Sequence, residues 1–386
     1  MQKTITLIGS TGSIGKQVIQ VVEQHSHLFK IVAMSANTNI DLFAKQVQKL
    51  QPDFAVLRST SCIVNDSCLL ENKIKQGEQA FEELCQYPSD IVIVAATGFA
   101  GLKATLFAIE AGRTVALANK ESLVVAGELV LKRAREKQVQ ILPIDSEHSA
   151  IWQALHFQTI LTGRKDFKKL LLTASGGALR DVPLHKLKTV TAIEALAHPN
   201  WSMGNKITID CATMLNKGYE VIEAMHLFGA SLDEIEVVLH RESIIHSMVE
   251  WVDGSILAQM GMPSMEIPIQ LALTYPDRLP AQTERIDWQK LKALHFDCMT
   301  KERYPCFYLA LQAAEKGGLY PLVLNAWAEI AVNALLKNKI AYTTIEAMIE
   351  KGLAELKENI PLESYLQLEE IDKYQREKAV QSIKLF

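Results

Sequence analysis

The chain has 386 residues, of which 48% are hydrophobic and 22% charged, a composition typical of a globular protein with two or three domains. Its 40 Lys and Arg residues against 44 Asp and Glu residues give a net charge of −4, which excludes the positive field that binding to nucleic acid or an acidic membrane requires. No apolar run approaches the roughly 20 residues that span a bilayer. The sequence opens on a strand-like segment without a leader, and the six cysteines form no CxxC pair. We therefore expect a cytoplasmic enzyme with free thiols.

Short β-branched runs alternate with amphipathic stretches in the first 145 residues. The predicted strands are residues 4–8, 31–35, 54–57, 91–95, 114–118 and 140–144. Strands that alternate with helices at this spacing indicate βαβ units. We expect residues 1–145 to form a Rossmann-like α/β domain with a doubly wound parallel sheet.

The pattern changes after residue 145. Predicted strands at 170–174, 236–240, 243–251 and 255–260, with the turn signal Asp253-Gly254 between the last two, indicate an α+β catalytic domain over 146–262 with an antiparallel or mixed sheet. Four prolines between residues 263 and 280 predict an extended linker over 263–300. Helical patterns then predict a C-terminal helical bundle over 301–386.

A glycine-rich loop, Gly9 to Gly15, follows the first predicted strand and opens the first predicted helix. Glycines allow a close approach of the backbone to a pyrophosphate, and a helix N-terminus offers free N–H groups. A P-loop is excluded, because Gln17 follows Lys16 where Ser or Thr is required. The loop is better explained as a dinucleotide site than as a turn that binds nothing.

The end of the second predicted strand favours NADP over NAD. NAD-binding domains place Asp or Glu there to bind the ribose hydroxyls. This chain has no acidic residue at that point, and the neutral side chains of Asn37 and Asn39 are the candidate donors. An acid would repel the 2′-phosphate of NADP, so its absence supports NADP.

Two groups of polar residues suggest a metal site. Asp145 and Glu147 follow a predicted strand, and period-two alternation would place both carboxylates on one face, although a solvated strand end explains them equally well. Asn216, Lys217 and Glu220 lie near the start of a predicted helix, where Asn216 and Glu220 share a face. Carboxylate ligands without His or Cys suit Mg²⁺ or Mn²⁺ rather than zinc.

A second anion-binding loop is predicted at Ser175-Gly176-Gly177, after the strand at 170–174. Lys217 is the candidate point charge for the same phosphate group.

Six motifs occur in an order that resembles the 1-deoxy-D-xylulose 5-phosphate reductoisomerase family, NADPH-dependent enzymes of the methylerythritol phosphate route to isoprenoids. They are GSTGSIG (9–15), LANKESLV (117–124), DSEH (145–148), ASGGA (174–178), HPNWSMG (198–204) and NKGYEVIEA (216–224). The resemblance covers essentially the whole chain.

The resemblance implies a role for most of the candidate residues. It makes Asp145, Glu147 and Glu220 ligands of Mg²⁺ or Mn²⁺, with Co²⁺ also possible, and it makes Glu147, Lys217 and Glu220 catalytic. It implies that the substrate-binding residues are Ser146, Ser175, His198, Trp201, Cys211, Asn216 and Lys217, and that residues 195–205 form a lid in which Trp201 covers the substrate. It implies that the dinucleotide contacts are Thr11, Gly12, Ser13, Ile14, Asn119, Lys120, Glu121, Gly204 and Met265.

The chain departs from the family pattern at two places. Asn37-Thr38 stands where the family often has Gly and a small or basic residue, which weakens an electrostatic account of NADP selection. Cys211 stands where the family typically has a phosphate-binding Ser.

The resemblance implies metal-dependent rearrangement of a sugar phosphate followed by reduction with NADPH, in a homodimer. Two alternatives remain at the level of sequence: another NADP-linked oxidoreductase such as a semialdehyde dehydrogenase, and a non-catalytic NADP sensor. The first needs a nucleophilic Cys beside a base, and Cys211 has no such sequence signature. The second has no need for the carboxylates and Lys217.

Overall fold

The computed structural model describes residues 2–60, 73–162, 166–201, 203–360 and 362–386, without the side chains of 156–162. The chain divides into two compact units. Unit 1 comprises Met1–Ser122, Val130–Ser146 and Ser264–Thr283. Unit 2 comprises Leu123–Leu129, Glu147–Pro263 and Glu284–Phe386.

Unit 1 contains a parallel seven-stranded sheet with the order β4-β3-β2-β1-β5-β6-β7. The strands are β1 Lys3–Ile8, β2 Phe29–Ala36, β3 Phe54–Leu57, β4 Ile74–Gln76, β5 Ile91–Val94, β6 Thr114–Leu117 and β7 Ile141–Pro143. Continuous apolar runs such as β5 are fully buried, as expected for a sheet covered on both faces. The predicted doubly wound parallel sheet is confirmed, and its strand order reverses between β1 and β5, where such folds bind ligands.

The described helices of unit 1 connect these strands, except the last one, which comes much later in the chain. They are α1 Ser13–Gln24, α2 Ile40–Leu50, α3 Glu78–Cys85, α4 Phe99–Glu110, α5 Glu121–Glu136, whose middle residues 123–129 belong to unit 2, and α10 Glu266–Thr274. The prediction of an extended linker is wrong for α10. Pro268 is the third residue of this helix, where its missing N–H would have no intrahelical partner, so the helix tolerates it. Lys3 Nζ donates to the carbonyl of Leu273 at 3.0 Å, which fixes α10 within unit 1.

Unit 2 contains a mixed four-stranded sheet with the order β11-β10-β8-β9. The strands are β8 Phe167–Ala174, β9 Ile235–Leu239, β10 Ile245–Trp251 and β11 Ile256–Met260. β8 and β9 are parallel, and the other neighbours are antiparallel, as predicted. The predicted hairpin joins β10 to β11, and Gly254 adopts a φ of +84° in its turn.

The remaining helices belong to unit 2. They are α6 Ser146–Thr162, which starts on the last residue of unit 1, α7 Ala192–Leu196, α8 Asn205–Ala212, α9 Leu215–Phe228, α11 Pro305–Lys316, α12 Tyr320–Leu336, α13 Thr344–Ala354 and α14 Tyr365–Ser382. α9 is buried from Leu215 to Ala224, and Gly218 lets it approach α11, because a Cβ there would lie 2.3 Å from the Cβ of Ala310. The C-terminal helices predicted from sequence are confirmed.

Helix length and apolarity also bear on membrane insertion. Among the described residues, no helix combines the length and the apolar character needed to cross a membrane.

Candidate active site

The glycine-rich loop of unit 1 is shaped by close backbone contacts. Gly9 has a φ of +87°, and a Cβ at this position would lie 2.8 Å from the backbone N of Ala96. A Cβ on Gly15 would lie 2.2 Å from the carbonyl oxygen of Gly9, so only glycine lets α1 start this close to the loop. The N-cap residue of α1, Gly12, provides no side-chain cap, so side chains do not compete for the first N–H groups of the helix. The predicted dinucleotide contacts Thr11, Ser13 and Ile14 lie in this loop and the first turn.

Two other predicted cofactor residues of unit 1, Asn37 and Asn39, follow β2. Asn37 is exposed after β2, and Asn39 caps α2 by accepting a hydrogen bond from the N–H of Leu42 at 3.2 Å. Asn39 therefore has a structural role in addition to its predicted one. Met265 is half-buried at the start of α10. Gly204, at the N-cap of α8, belongs to unit 2.

The segment after β6 is held by its own side chains. Asn119 donates to a carboxylate oxygen of Glu121 at 2.9 Å. Lys120 forms an ion pair with Asp145, which follows β7, and both side chains are largely buried. The backbone N–H of Ser146 donates to Asp145 Oδ1 at 3.0 Å.

Glu147 does not lie on a strand. β7 ends at Pro143, and α6 begins at Ser146, so Glu147 is in the first turn of a helix. The prediction that strand alternation pairs Asp145 with Glu147 is wrong. The orientation of Glu147 is set instead by α6, where an acidic side chain in the first turn is favoured by the helix dipole.

The centre of the unit 2 site is a buried charge cluster of four residues. Lys217 Nζ donates to Glu147 Oε1 at 2.7 Å and also to Glu220 Oε2. Asn216 Nδ2 donates to the other oxygen of Glu220 at 2.5 Å, which confirms that Asn216 and Glu220 share a face of α9. The side chains of Lys217 and Glu220 are 5% and 1% exposed. One ammonium and two carboxylates leave a net negative charge in this cluster.

The carboxylates of the cluster determine the charge state of Lys217. Burial alone would lower the pKa of this ammonium, but Glu147 and Glu220 outweigh burial and raise the pKa above its ordinary value. Lys217 is therefore positively charged where it lies between the two carboxylates.

The predicted anion loop lies against the end of α8. Gly177 has a φ of +71°, and a Cβ there would lie 2.4 Å from the carbonyl oxygen of Cys211. The N–H of Gly177 donates to the hydroxyl of Ser175 at 3.2 Å. Cys211 is half-buried, and its backbone forms one side of this loop. The structure thus places the loop that contains Ser175 against the backbone of Cys211.

His198 connects the predicted lid to the anion loop. Its Nδ1 accepts hydrogen bonds from the N–H groups of Asn200 and Trp201 at 3.1 and 3.0 Å, so the neutral ring carries its proton on Nε2. Nε2 then donates to Ser175 Oγ at 2.9 Å. Burial, with a contribution from Arg180, lowers the pKa of His198 to about 4. Because Ser175 Oγ accepts from both His198 and Gly177, its own O–H remains available to an anion.

The predicted lid, residues 195–205, is only partly a loop. Its first two residues belong to α7, and Asn205 begins α8. Trp201 is half-buried and meets the ring of His246 edge-on, with centroids 6.2 Å apart.

His148 and Glu223 lie beside the charge cluster, and the sequence did not predict either residue as part of the site. Both are buried; His148 Nε2 bonds to the carbonyl of Glu220 at 2.8 Å, and Nδ1 lies 3.4 Å from Glu223 Oε2. The signal was present, since His148 ends the DSEH motif and Glu223 lies one helical turn after Glu220. Only the tertiary contact shows that the two residues pair.

Comparison with known proteins identifies the family of the chain. Three family profiles match the chain: 1-deoxy-D-xylulose 5-phosphate reductoisomerase over residues 5–127, its C-terminal domain over 141–228, and the DXP reductoisomerase C-terminal domain over 260–378. A 1-deoxy-D-xylulose 5-phosphate reductoisomerase of Bacillus cereus (strain Q1) is 46% identical over 91% of this chain and 92% of its own. One from Shouchella clausii is 47% identical over 91% and 93%.

Solved structures of reductoisomerases have the same fold as this chain. The Zymomonas mobilis enzyme in complex with NADPH is 38% identical, with a TM-score of 0.91 over the whole of both chains. A DOX-P reductoisomerase in complex with NADPH, fosmidomycin and magnesium is 36% identical, with a TM-score of 0.94 over 100% of this chain and 99% of its own. The chain belongs to the 1-deoxy-D-xylulose 5-phosphate reductoisomerase family of NADP-dependent oxidoreductases.

Proposed function

We propose that this chain converts 1-deoxy-D-xylulose 5-phosphate to 2-C-methyl-D-erythritol 4-phosphate with NADPH as the reductant. The buried cluster of Glu147, Asn216, Lys217 and Glu220 is the observation that carries the proposal. Burying charges costs free energy, so a protein that only sensed NADP would have no reason to retain them. A semialdehyde dehydrogenase needs a reactive thiolate, whereas burial raises the pKa of Cys85 and Cys306.

We assign the metal ion to Asp145, Glu147 and Glu220. The donor set consists of carboxylate oxygens, which fits Mg²⁺ or Mn²⁺, and Co²⁺ is also compatible. Glu147 and Glu220 meet at Lys217 in unit 2, and Asp145 is assigned as the third ligand from the resemblance to the family. When bound, the ion supplies a Lewis acid that lowers the pKa of a substrate hydroxyl beside the carbonyl. Lys217 neutralises part of the repulsion between Glu147 and Glu220 and holds them in place.

We assign the substrate phosphate to the loop formed by Ser175, Gly176 and Gly177 and to the residues around it. The free O–H of Ser175 donates to the phosphate, and His198 fixes the direction of that O–H. Ser146, Asn216 and Lys217 bind the reacting end of the substrate, and Cys211 lines the phosphate side. Trp201 covers the substrate and excludes water from it.

The cofactor assignment rests on the glycine loop of unit 1 and on the segments after β2 and β6. Thr11 to Ile14 bind the pyrophosphate through backbone N–H groups at the start of α1. Bound NADPH supplies the hydride that reduces the rearranged aldehyde. Because no acid follows β2, we expect a higher kcat/KM with NADPH than with NADH, and equal values would overturn this assignment.

The direct test is incubation with 1-deoxy-D-xylulose 5-phosphate and NADPH, with and without Mg²⁺, while NADPH absorbance is followed. We expect oxidation of NADPH only when the substrate and the ion are both present. The branched product is then identified by mass spectrometry and NMR. Oxidation of NADPH without the branched product would overturn the proposed reaction.

We propose a homodimer formed through β11. This strand is at the edge of the unit 2 sheet, and Val252, Ile256 and Leu257 in this hairpin are 71%, 52% and 47% exposed. An apolar edge strand pairs readily with a second copy. Light scattering should give a dimer mass for the wild type and a monomer mass for Leu257→Lys; a monomeric wild type would contradict the proposal.

We also propose a cytoplasmic location. It is supported by the cysteines that the structure describes, Cys85, Cys211, Cys298 and Cys306, which are all free thiols. Fractionation of cells that produce the protein, with recovery outside the soluble cytoplasmic fraction, would contradict it.

A further inference from the structure

The side chain of Asn200, in the predicted lid, forms hydrogen bonds to the turn between β9 and β10. Asn200 Nδ2 donates to the carbonyl of Arg241 at 2.6 Å and to Ser243 Oγ at 2.8 Å. The backbone of Asn200 meanwhile donates to the ring of His198. One half-buried amide side chain thus joins two segments that are more than forty residues apart in sequence.

The turn that accepts these bonds is itself fixed. His240 Nε2 accepts from the N–H of Ile244 at 3.2 Å, so its Nδ1 carries the proton and donates to the carbonyl of His295 at 3.0 Å. The side chain of Arg241 pairs with Asp181 at 2.8 Å and with Asp297 at 3.2 Å. Because this acceptor is already rigid, little conformational entropy is lost when the side chain of Asn200 binds to it.

Arg180 connects this turn to the anion loop. Its Nη1 donates to the carbonyl of Ser175 at 2.8 Å and to the carbonyl of Arg241 at 3.2 Å. The carbonyl of Arg241 therefore accepts from both Arg180 and Asn200. A continuous chain of hydrogen bonds runs from Ser175 through Arg180 and Arg241 to Asn200.

We propose that Asn200 is a positioning residue that latches residues 198–201 beside the anion loop, and that Arg180 couples the latch to that loop. Binding of a phosphate group at Ser175 and closure of the latch then favour each other. The identity of the phosphate as that of the sugar substrate rests on the proposed function, whereas the latch itself rests on the contacts of Asn200 and Arg180.

The test compares Asn200→Ala and Asn200→Asp with the wild type. The Asp variant keeps the shape of the side chain but removes both N–H donors and places a carboxylate against the carbonyl of Arg241. Asn333→Ala is the matched control, because Asn333 is exposed on α12, outside the lid, and its side chain makes no hydrogen bond in the part of the chain that the structure describes. Thermal melting verifies that each variant is folded.

Amide hydrogen exchange of residues 195–201 is measured with and without inorganic phosphate. We expect phosphate to slow exchange in the wild type and in Asn333→Ala, and both Asn200 variants to exchange faster and to respond little to phosphate. Exchange in both Asn200 variants equal to that of the wild type would overturn the latch. This measurement needs no turnover, so it decides the latch even if the proposed reaction fails.

Steady-state kinetics provide the second measurement. Losing two hydrogen bonds of ordinary net strength should raise the KM for 1-deoxy-D-xylulose 5-phosphate about tenfold in both Asn200 variants. The KM for NADPH should stay within about twofold, since the latch lies in unit 2 beside the phosphate loop. Arg180→Met should raise the substrate KM in the wild type and much less in Asn200→Ala, because both residues act through the carbonyl of Arg241. If Arg180→Met raises the substrate KM by the same factor in the wild type and in Asn200→Ala, then Arg180 does not act through the latch.

Discussion

The candidate sites of the two units are built by opposite means. In unit 1, the loop from Gly9 to Gly15 offers backbone N–H groups and free space, and two of its glycines are required by contacts below 3 Å. In unit 2, the site is made of buried charges, with Lys217 held between Glu147 and Glu220. The first kind of site depends on shape, so it is sensitive to a single added methyl group. The second depends on charge balance, so it is sensitive to the loss of a single charge.

The largest effect should follow Glu220→Gln. This change keeps the size of the side chain but removes one of the two negative charges that face Lys217, together with a proposed metal ligand. A Lewis-acid ion contributes several kcal/mol to such a reaction, so we expect kcat to fall roughly 10²- to 10³-fold. Isothermal titration with Mn²⁺ should show weaker binding.

Glu236→Gln is the matched control for this prediction. Glu236 is an exposed carboxylate on β9 that pairs with Lys169, so its loss removes the same charge from unit 2 outside the cluster. It should leave kcat within about twofold, since exposed ion pairs contribute little. Full activity of the wild type in excess chelator would contradict the assigned metal site.

Gly15→Ala tests the dependence of unit 1 on shape. The added Cβ would lie 2.2 Å from the carbonyl oxygen of Gly9, so α1 or the loop must shift. Overpacking of this kind costs about 1–3 kcal/mol, and we expect the Kd for NADPH to rise roughly 10- to 100-fold. Gly12→Ala is a milder comparison, because its Cβ would lie 3.4 Å from the same oxygen. Equal Kd values for the two variants, measured by NADPH fluorescence, would contradict the shape argument.

The same contrast explains what the sequence could predict. The glycine loop was predictable because its signal is local: a buried strand, three glycines and a helix start within fifteen residues. The pairing of Asn216 with Glu220 was predictable for the same reason, since i and i+4 residues meet on any helix.

The remaining features depend on tertiary structure. The polar residues after β7 fit a strand end and a helix start equally well, so the sequence could not show that Glu147 lies in α6. The prolines after residue 262 suggested a linker, but Pro268 falls where a helix tolerates it. Neither the contact of His148 with Glu220 nor that of Asn200 with Arg241 has a local signature, because each joins residues at least forty positions apart.

A smaller effect should appear in the pH dependence of stability. Burial, with Arg180, lowers the pKa of His198 from 6.5 to about 4, so the folded protein binds this proton less readily than the unfolded chain does. The contribution of neutral His198 is complete above pH 6.5 and is lost as the pH falls towards 4. Relative to His198→Gln, the free energy of unfolding of the wild type in urea should fall by about 1–3 kcal/mol across this pH range. A difference in the free energy of unfolding between the two proteins that stays constant from pH 7 to pH 4.5 would contradict the lowered pKa of His198.

The smallest effect is expected for Cys211→Ser. The backbone of Cys211 packs on Gly177, and the side chain is half-buried beside the proposed phosphate position. A hydroxyl is a stronger hydrogen-bond donor to phosphate than a thiol. The variant should therefore keep its kcat and lower the KM for the substrate about two- to fivefold. This change corresponds to less free energy than one full hydrogen bond contributes.

Alkylation of the wild-type thiol distinguishes a Cys211 that lines the phosphate site from one that points away from it. A bulky reagent on Cys211 should block the anion loop and raise the substrate KM, and bound substrate should protect the thiol, because substrate and reagent would compete for the same space. The Cys211→Ser variant treated with the same reagent is the control, because any change in its KM must come from thiols other than Cys211. Mass spectrometry assigns the modified residue. If Cys211 is modified with no change in KM, or if substrate gives no protection, then its side chain does not line the phosphate site, and the backbone contact with Gly177 is its whole contribution.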